Sequence, residues 1–523
     1  MKPLLFLLIL QSAFSLLAQS NPEKTNILLI LADDLGYSDL GCYGSEIKTP
    51  HLDSLATNGL RFTNFYNTAR CWPTRAALMT GYYPQQVRRD SIKGKPGKGG
   101  GRGKRPSWAP LLPSLLKPAG YRSYHIGKWH LDGMPVAAGF DRSYYLKDQG
   151  RFFNPRTHYL DDKPLPTIKE GTHFYGTTEL ANRALEFLKE HDSNHKNSPF
   201  FTYLAFAAPH FPLHALPADI ANYEKTYTSG WGTIRKQRHR RMSELGFPHI
   251  ALSPVMPDLG PPYHFPGHLK ILGENEVNRP LPWTSLTAPQ KNFQARKMAI
   301  HAAMIDRMDQ EIGRIIDHLK KTGQFDNTLI LFLSDNGASA EIMVRDDGHD
   351  SKAPMGSAAT YLCLGPGWST TANTPFRKHK TWTHEGGIST PLIAHWPKRI
   401  DSKQEFRHTP AHAIDIVPTI LELTGAKPAD KGPPIPGKTL TPLFRADTAN
   451  HHEALWWSHD GHHAILQNGW KAVSSSKQPW ELYHLTNDRS ENQDLAARHP
   501  DRLKKLITLW NERADQYLAD AKK

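Results

Sequence analysis

Three short apolar runs in this 523-residue chain stop abruptly on polar residues, and this pattern restricts the fold more than any other feature of the sequence. Asn26-Ile27-Leu28-Leu29-Ile30-Leu31-Ala32 ends at Asp33-Asp34, and Thr328-Leu329-Ile330-Leu331-Phe332-Leu333-Ser334 ends at Asp335-Asn336-Gly337. The stretch 200–208 ends at Pro209-His210. Apolar runs without alternation suit strands covered on both faces, as in a parallel sheet between layers of helix. Helical periodicity falls between them, at residues 178–189 and 296–321, with Gly323 just past the second. The alternation predicts an α/β sandwich with a mostly parallel central sheet covered by helices. In such sheets ligands gather at the carboxyl ends of the strands. Asp33, Asp34, His210, Asp335 and Asn336 are therefore expected along one edge.

Other segments divide the chain. Residues 1–20 (MKPLLFLLILQSAFSLLAQS) read as a cleaved signal peptide, which implies a secreted or periplasmic protein. No later apolar stretch is long enough for a membrane span. Prolines and glycines at 426–442 mark a boundary between a catalytic domain, 21–430, and a smaller α+β domain, 431–523. In the latter, tryptophan-rich runs at 454–458 and 480–485 precede a helix over about residues 501–518. Residues 93–105 (KGKPGKGGGRGKR) read as a flexible basic loop, and 231–287, rich in Pro, His and Arg, as an irregular wrap near the site. Asp306 and Asp309, in mid-helix, read as ordinary surface charges. The formal net charge of +14 favours anionic partners without choosing among sulfated glycans, nucleic acid and acidic lipid. Of three cysteines, Cys42 and Cys363 read as buried small hydrophobes or as one disulfide. Cys71 stands apart because of its neighbours.

Cys71-Trp72-Pro73-Thr74-Arg75, followed by Ala76-Ala77-Leu78-Met79-Thr80-Gly81, resembles the sulfatase signature C-x-P-[S/T]-R-x-x-x-L-T-G, with Thr74 for the commoner Ser and Met79 for Leu. The resemblance implies an alkaline-phosphatase-like fold and oxidation of Cys71 to formylglycine, whose hydrate is a geminal diol. A helix starting near Thr74 would place residue 71 at an N-terminus suited to anions, with Arg75 able to hold the ionised diol.

Further segments carry the resemblance, from about residue 26 to 423 and again at 480–488. Asp33, Asp34, Asp335 and Asn336 offer hard oxygen donors of the kind that bind Ca2+ or Mg2+. The resemblance makes them, with residue 71, the metal shell, with calcium the usual ion. Gly127-Lys128-Trp129-His130 resembles the family's G-K-W-H segment, which gives Lys128 the sulfate and His130 the proton whose removal releases sulfate. His210 matches a second histidine position. Lys380 fits the lysine of R-x-x-K-x-x-x-x-E-G-G-I, with Lys378 and His379 as neighbouring alternatives for substrate contact; His384 is given no role. By resemblance, His210 and Lys380 protonate the leaving oxygen. Alone, each basic side chain would be one of 28 His or 64 Lys and Arg, most of them solvated.

The implied activity is sulfuric ester hydrolysis of the arylsulfatase type. The implied partners are a sulfated small molecule or glycan and the enzyme that makes formylglycine, with neither nucleic acid nor stable membrane insertion. Two other readings remain: a phosphodiesterase or phosphonate monoester hydrolase of the same superfamily, and a non-catalytic binder of sulfated glycans.

Overall fold

The protein was studied as a computed structural model that describes residues 24–93, 103–345 and 348–523. The expected signal peptide and most of the basic stretch 93–105 lie outside the described residues. The strands are β1 Asn26–Ala32, β2 Leu60–Tyr66, β3 Arg122–Gly127, β4 Arg142–Leu146, β5 His158–Leu160, β6 Lys163–Pro164, β7 Phe200–Ala205, β8 Thr328–Ser334, β9 Ser389–His395, β10 Glu405–Arg407 and β11 Ala411–His412. They form one sheet in the order β10-β2-β9-β8-β1-β7-β3-β4-β5-β6, with β11 also paired to β2.

The three apolar runs are its centre. Strands β7 and β8 are buried throughout, and β1 is buried beyond Asn26. Side chains of β1 alternate between two cores: Leu28, Ile30 and Ala32 enter one, and Ile27, Leu29 and Leu31 the other. Burial on both faces is what a run without polar alternation requires. Strands β8, β1, β7, β3 and β4 are mutually parallel. Strand β9 runs antiparallel to both β8 and β2, so β2 points the same way as the parallel set.

Helices cover both faces. The first predicted helix spans Gly176–Asn194. The second starts at Ala288, earlier than the periodicity indicates, and runs to Lys321. Thr287 caps it, its hydroxyl accepting from the Gln290 amide while the Gln290 side chain accepts from Thr287 N. Asp306 and Asp309 on this helix are buried, contrary to the expectation of surface charges. Asp309 accepts from His51 N (3.1 Å) and Leu52 N (2.8 Å), in the first turn of the helix Pro50–Thr57. Asp306 accepts from the Tyr223 hydroxyl at 2.7 Å.

The segment 231–287 is likewise more ordered than its composition indicates. It contains the helices Trp231–Glu244 and Pro266–Leu272. Its arginines anchor the first of these: Arg238 pairs with Asp39 (2.6 Å) and Glu46 (2.8 Å), and Arg235 donates to Ser253 O (2.6 Å). A basic surface composition and a buried, paired set of arginines look the same in a sequence.

Beyond the first sheet, β12 Leu455–His459, β13 His462–Gln467, β14 Trp470–Ser474 and β15 Trp480–His484 form an antiparallel meander. The helix Pro500–Asp520 packs on it, stacking Trp510 on Trp456 with ring centroids 5.5 Å apart. At the seam, Lys471 bridges Glu385 and Glu491, each at 2.8 Å, and Arg489 reaches Glu385 at 3.3 Å. Cys42 and Cys363 are both buried and unbridged, so the disulfide alternative falls. Burial raises both thiols, Cys363 to about 12, as expected of inert packing groups. Among the described residues, no helix is long and apolar enough to cross a membrane.

Candidate active site

Strand direction brings the chemistry together. Asp33-Asp34 leaves the end of β1, Asp335-Asn336 the end of β8, and Lys128 the end of β3, while His210 follows β7. The register pairs Ala32 with Ser334, and the ladder continues past the strands: Asp33 N donates to Ala208 O at 3.0 Å and Asp335 N to Ala32 O at 3.1 Å. The end of β2 delivers Cys71, the first residue of the helix Cys71–Thr80, to the same edge. Because β9 is reversed, the residues before it, Lys380 among them, also arrive there.

Cys71 is buried, at 3% exposure, where the chain turns into its helix. Thr74 holds that turn. Its Oγ1 accepts from Thr68 N at 3.0 Å and lies 2.8 Å from the Thr68 hydroxyl. A hydroxyl is what the position needs, and Thr supplies it as Ser would. At the other end Gly81, at φ 77°, terminates the helix in the left-handed conformation that favours glycine.

Arg75 is fully buried. Its Nε and Nη2 donate to Asp335 Oδ2 at 3.0 and 2.8 Å, its Nη2 to Asp33 Oδ2 at 3.2 Å, and its Nη1 to Lys128 O at 2.8 Å. These bonds lock two carboxylates and the Lys128 backbone together beside Cys71. Lys128 Nζ is in close contact with Asp33 Oδ2. Lys380 bridges Asp34 Oδ1 (2.7 Å) and Glu341 Oε2 (3.2 Å), and His210 Nε2 lies 3.7 Å from Asp34 Oδ2. Lys378 and His379 face elsewhere: Lys378 meets Ser475 Oγ (2.6 Å) and His384 Nε2 (3.1 Å), and His379 meets Ser369 Oγ (2.9 Å). The cluster thus takes Lys380, as the motif spacing indicates. His130 is only partly buried, with its ring edge-on to that of Trp72, the neighbour of Cys71, at 5.8 Å.

Two members of the cluster were not picked out from the sequence. Glu341 is buried and pairs with Arg70 at 3.0 Å as well as with Lys380. Arg70 precedes Cys71 directly, but Glu341 lies in no motif and only the fold brings it in.

Burial of so many charges is offset by pairing. For Asp33, burial pushes the carboxyl up, yet Lys128, His210 and Arg75 together hold it below the usual range. Asp335, raised by burial and by the Asp33 charge, sits at about 6. Burial would raise Glu341, but Arg70 and Lys380 hold it down. His210 is driven far below the ordinary histidine value by burial and by Lys380, and is neutral at pH 7.

The donor set fits a divalent cation. Asp33 Oδ1 and Asn336 Oδ1 are buried without a hydrogen-bond partner, an arrangement that is costly unless something positive lies between them. Carboxylate and amide oxygens are the hard donors that Ca2+ and Mg2+ take. Ligand atoms of Asp33, Asp34 and His210 lie within 4.8 Å of one another.

Comparison with known proteins bears on this geometry. The Sulfatase family profile matches residues 25–426, and that of the N-sulphoglucosamine sulphohydrolase C-terminal region matches 377–515. An uncharacterized sulfatase of Schizosaccharomyces pombe is 33% identical, covering 94% of each chain. The arylsulfatase of Klebsiella aerogenes is 30% identical over 78% of this chain and 88% of its own. The crystal structure of Ps i-CgsB in complex with k-i-k-neocarrahexaose is 26% identical, covers 94% of this chain and 93% of that one, and superimposes with a TM-score of 0.64. Fold, clustered side chains and relatives agree: the chain belongs to the sulfatase family of sulfuric ester hydrolases.

Proposed function

We propose that this protein removes sulfate from a sulfated carbohydrate, with Cys71 matured to formylglycine and calcium held by Asp33, Asp34, Asp335 and Asn336. One observation carries the reading: Cys71 opens a helix at the sheet edge where buried oxygens of Asp33 and Asn336 lack partners. Formylglycine at residue 71, once hydrated, would supply an oxygen nucleophile toward sulfur and a second hydroxyl whose deprotonation would release sulfate.

The chain's own residues do the rest. Lys128 and Lys380 present buried positive charge to the sulfate oxygens, where preorganised charge contributes most to rate. Lys380, kept cationic by Asp34 and Glu341, protonates the departing oxygen as the S–O bond breaks, and neutral His210 beside it lines the same wall of the site. His130 takes the proton of the second hydroxyl. Arg75 fixes Asp33 and Asp335 throughout.

A carbohydrate substrate fits the basic charge of +14, and the neocarrahexaose complex of Ps i-CgsB supports it by similarity. Residues 1–20 direct export, so the protein acts in the periplasm or outside the cell on material a formylglycine-generating enzyme has equipped it to cut.

The test is the mass of the tryptic peptide containing residue 71, from protein made in its native host. A formylglycine mass supports the mechanism. Unmodified cysteine in active enzyme, or near-normal sulfate release by Cys71→Ala with an unchanged circular dichroism spectrum, would sink it.

A further inference from the structure

A second group of ligating side chains, none of them in the catalytic cluster, lies at the seam between the two sheets. Asp415 follows β11 in the main sheet, and His451-His452 lead into β12. Asp415 is fully buried and His451 is 8% exposed. His452 Nε2 is 2.9 Å from both Asp415 oxygens, and His451 Nε2 is 3.5 Å from Oδ2. All three ligand atoms lie within 4.8 Å of one another.

Bonds of about 2.0–2.1 Å in tetrahedral array hold neighbouring ligand atoms roughly 3.3 Å apart. The observed 2.9 and 3.5 Å bracket that separation. The carboxylate is also anchored by the backbone, accepting from His412 N and Lys438 N, each at 2.8 Å, as an outer shell that fixes its orientation.

The decisive atom is His451 Nε2. It is buried, aimed into the group, and makes no hydrogen bond. One Asp–His ion pair accounts for His452, whereas His451 approaches the same carboxylate at 3.5 Å without hydrogen-bond geometry. A cavity of about 670 Å³ borders both histidines, with His249 and His408 on its wall, and gives an entry path and room for a water ligand.

We propose that Asp415, His451 and His452 bind a Zn2+ ion that ties the C-terminal sheet to the main sheet. Two imidazoles and one carboxylate suit zinc better than calcium. The catalytic donors are oxygen-rich, so the two sites differ in metal preference.

The test uses untagged full-length protein, stripped with a chelator, refilled with Ca2+, then dialysed against Zn2+ and assayed for zinc per chain. Wild type and Asp335→Ala should each retain a tightly bound zinc ion; His451→Ala should not. Circular dichroism checks that this variant folds. Zn2+ should raise the melting temperature of wild type by a few degrees and leave that of His451→Ala unmoved. Crystals should show anomalous scattering at the zinc edge between the imidazoles. Equal zinc retention in wild type and His451→Ala, or none in either, overturns the proposal.

Discussion

Arg75 shows how much one side chain organises. Its fork touches Asp33, Asp335 and the Lys128 carbonyl, which come from three different strands. Lysine keeps the charge but offers a single point in place of a planar fork. Arg75→Lys should therefore fold and still bind metal more weakly, while kcat on an aryl sulfate falls about 10²-fold, the scale of a 1 Å misplacement. A kcat within twofold of wild type would show that the fork is dispensable. Cys71, Arg75, Lys128 and Lys380 were legible in the sequence because each sits in a short contiguous motif. Arg75's partners were not, since a motif gives spacing and leaves the contacts of a guanidinium open. Glu341 was invisible for a related reason: its partners Arg70 and Lys380 are distant in the chain and meet only in the folded sheet.

At the scale of elements, hydrophobic runs announced the three central strands because burial on both faces leaves no polar position to confuse the pattern. The helix Ala288–Lys321 was only partly legible, and its buried acids were misread, because the periodicity rule assigns charge to the outside. Asp309 shows why that rule yields here: its carboxylate caps the helix Pro50–Thr57. Asp309→Ala leaves two amides unpartnered and should cost about 1–2 kcal/mol in denaturant unfolding. Burial, against the pull of those two amides, raises this carboxyl to about 7 from the 3.8 of an ordinary aspartate. Between those values the native state holds a proton the unfolded state releases, so this contribution is full below pH 3.8 and is lost as pH rises through 7. Stability measured from pH 4 to 7 should accordingly decline more for wild type than for Asp309→Asn. Parallel curves would place the Asp309 pKa near its unfolded value.

The molecule as a whole is joined by charge at the seam between its sheets. Lys471 bridges Glu385 and Glu491, and all three are fully buried. Lys471→Met leaves Glu491 buried beside Glu385, which keeps only the longer pair with Arg489, and should destabilise by about 3–5 kcal/mol. A lowered melting temperature, partly restored by adding Glu491→Gln, is the expected result; an unchanged one would mean the acids are neutral. Sequence composition indicated a second, smaller unit but gave no hint of this seam, since Lys471 lies in a strand whose pattern reads only as apolar and polar alternation. The central position of β1 has a temporal consequence. Ile27 pairs with Phe201 on one side and Leu329 on the other. A chain made or threaded from its amino end therefore presents its stickiest strand first and completes that strand's neighbours last. Until β8 emerges, β1 has an open, apolar edge, so slow folding and a need for holding chaperones follow from the order of strands in the sheet.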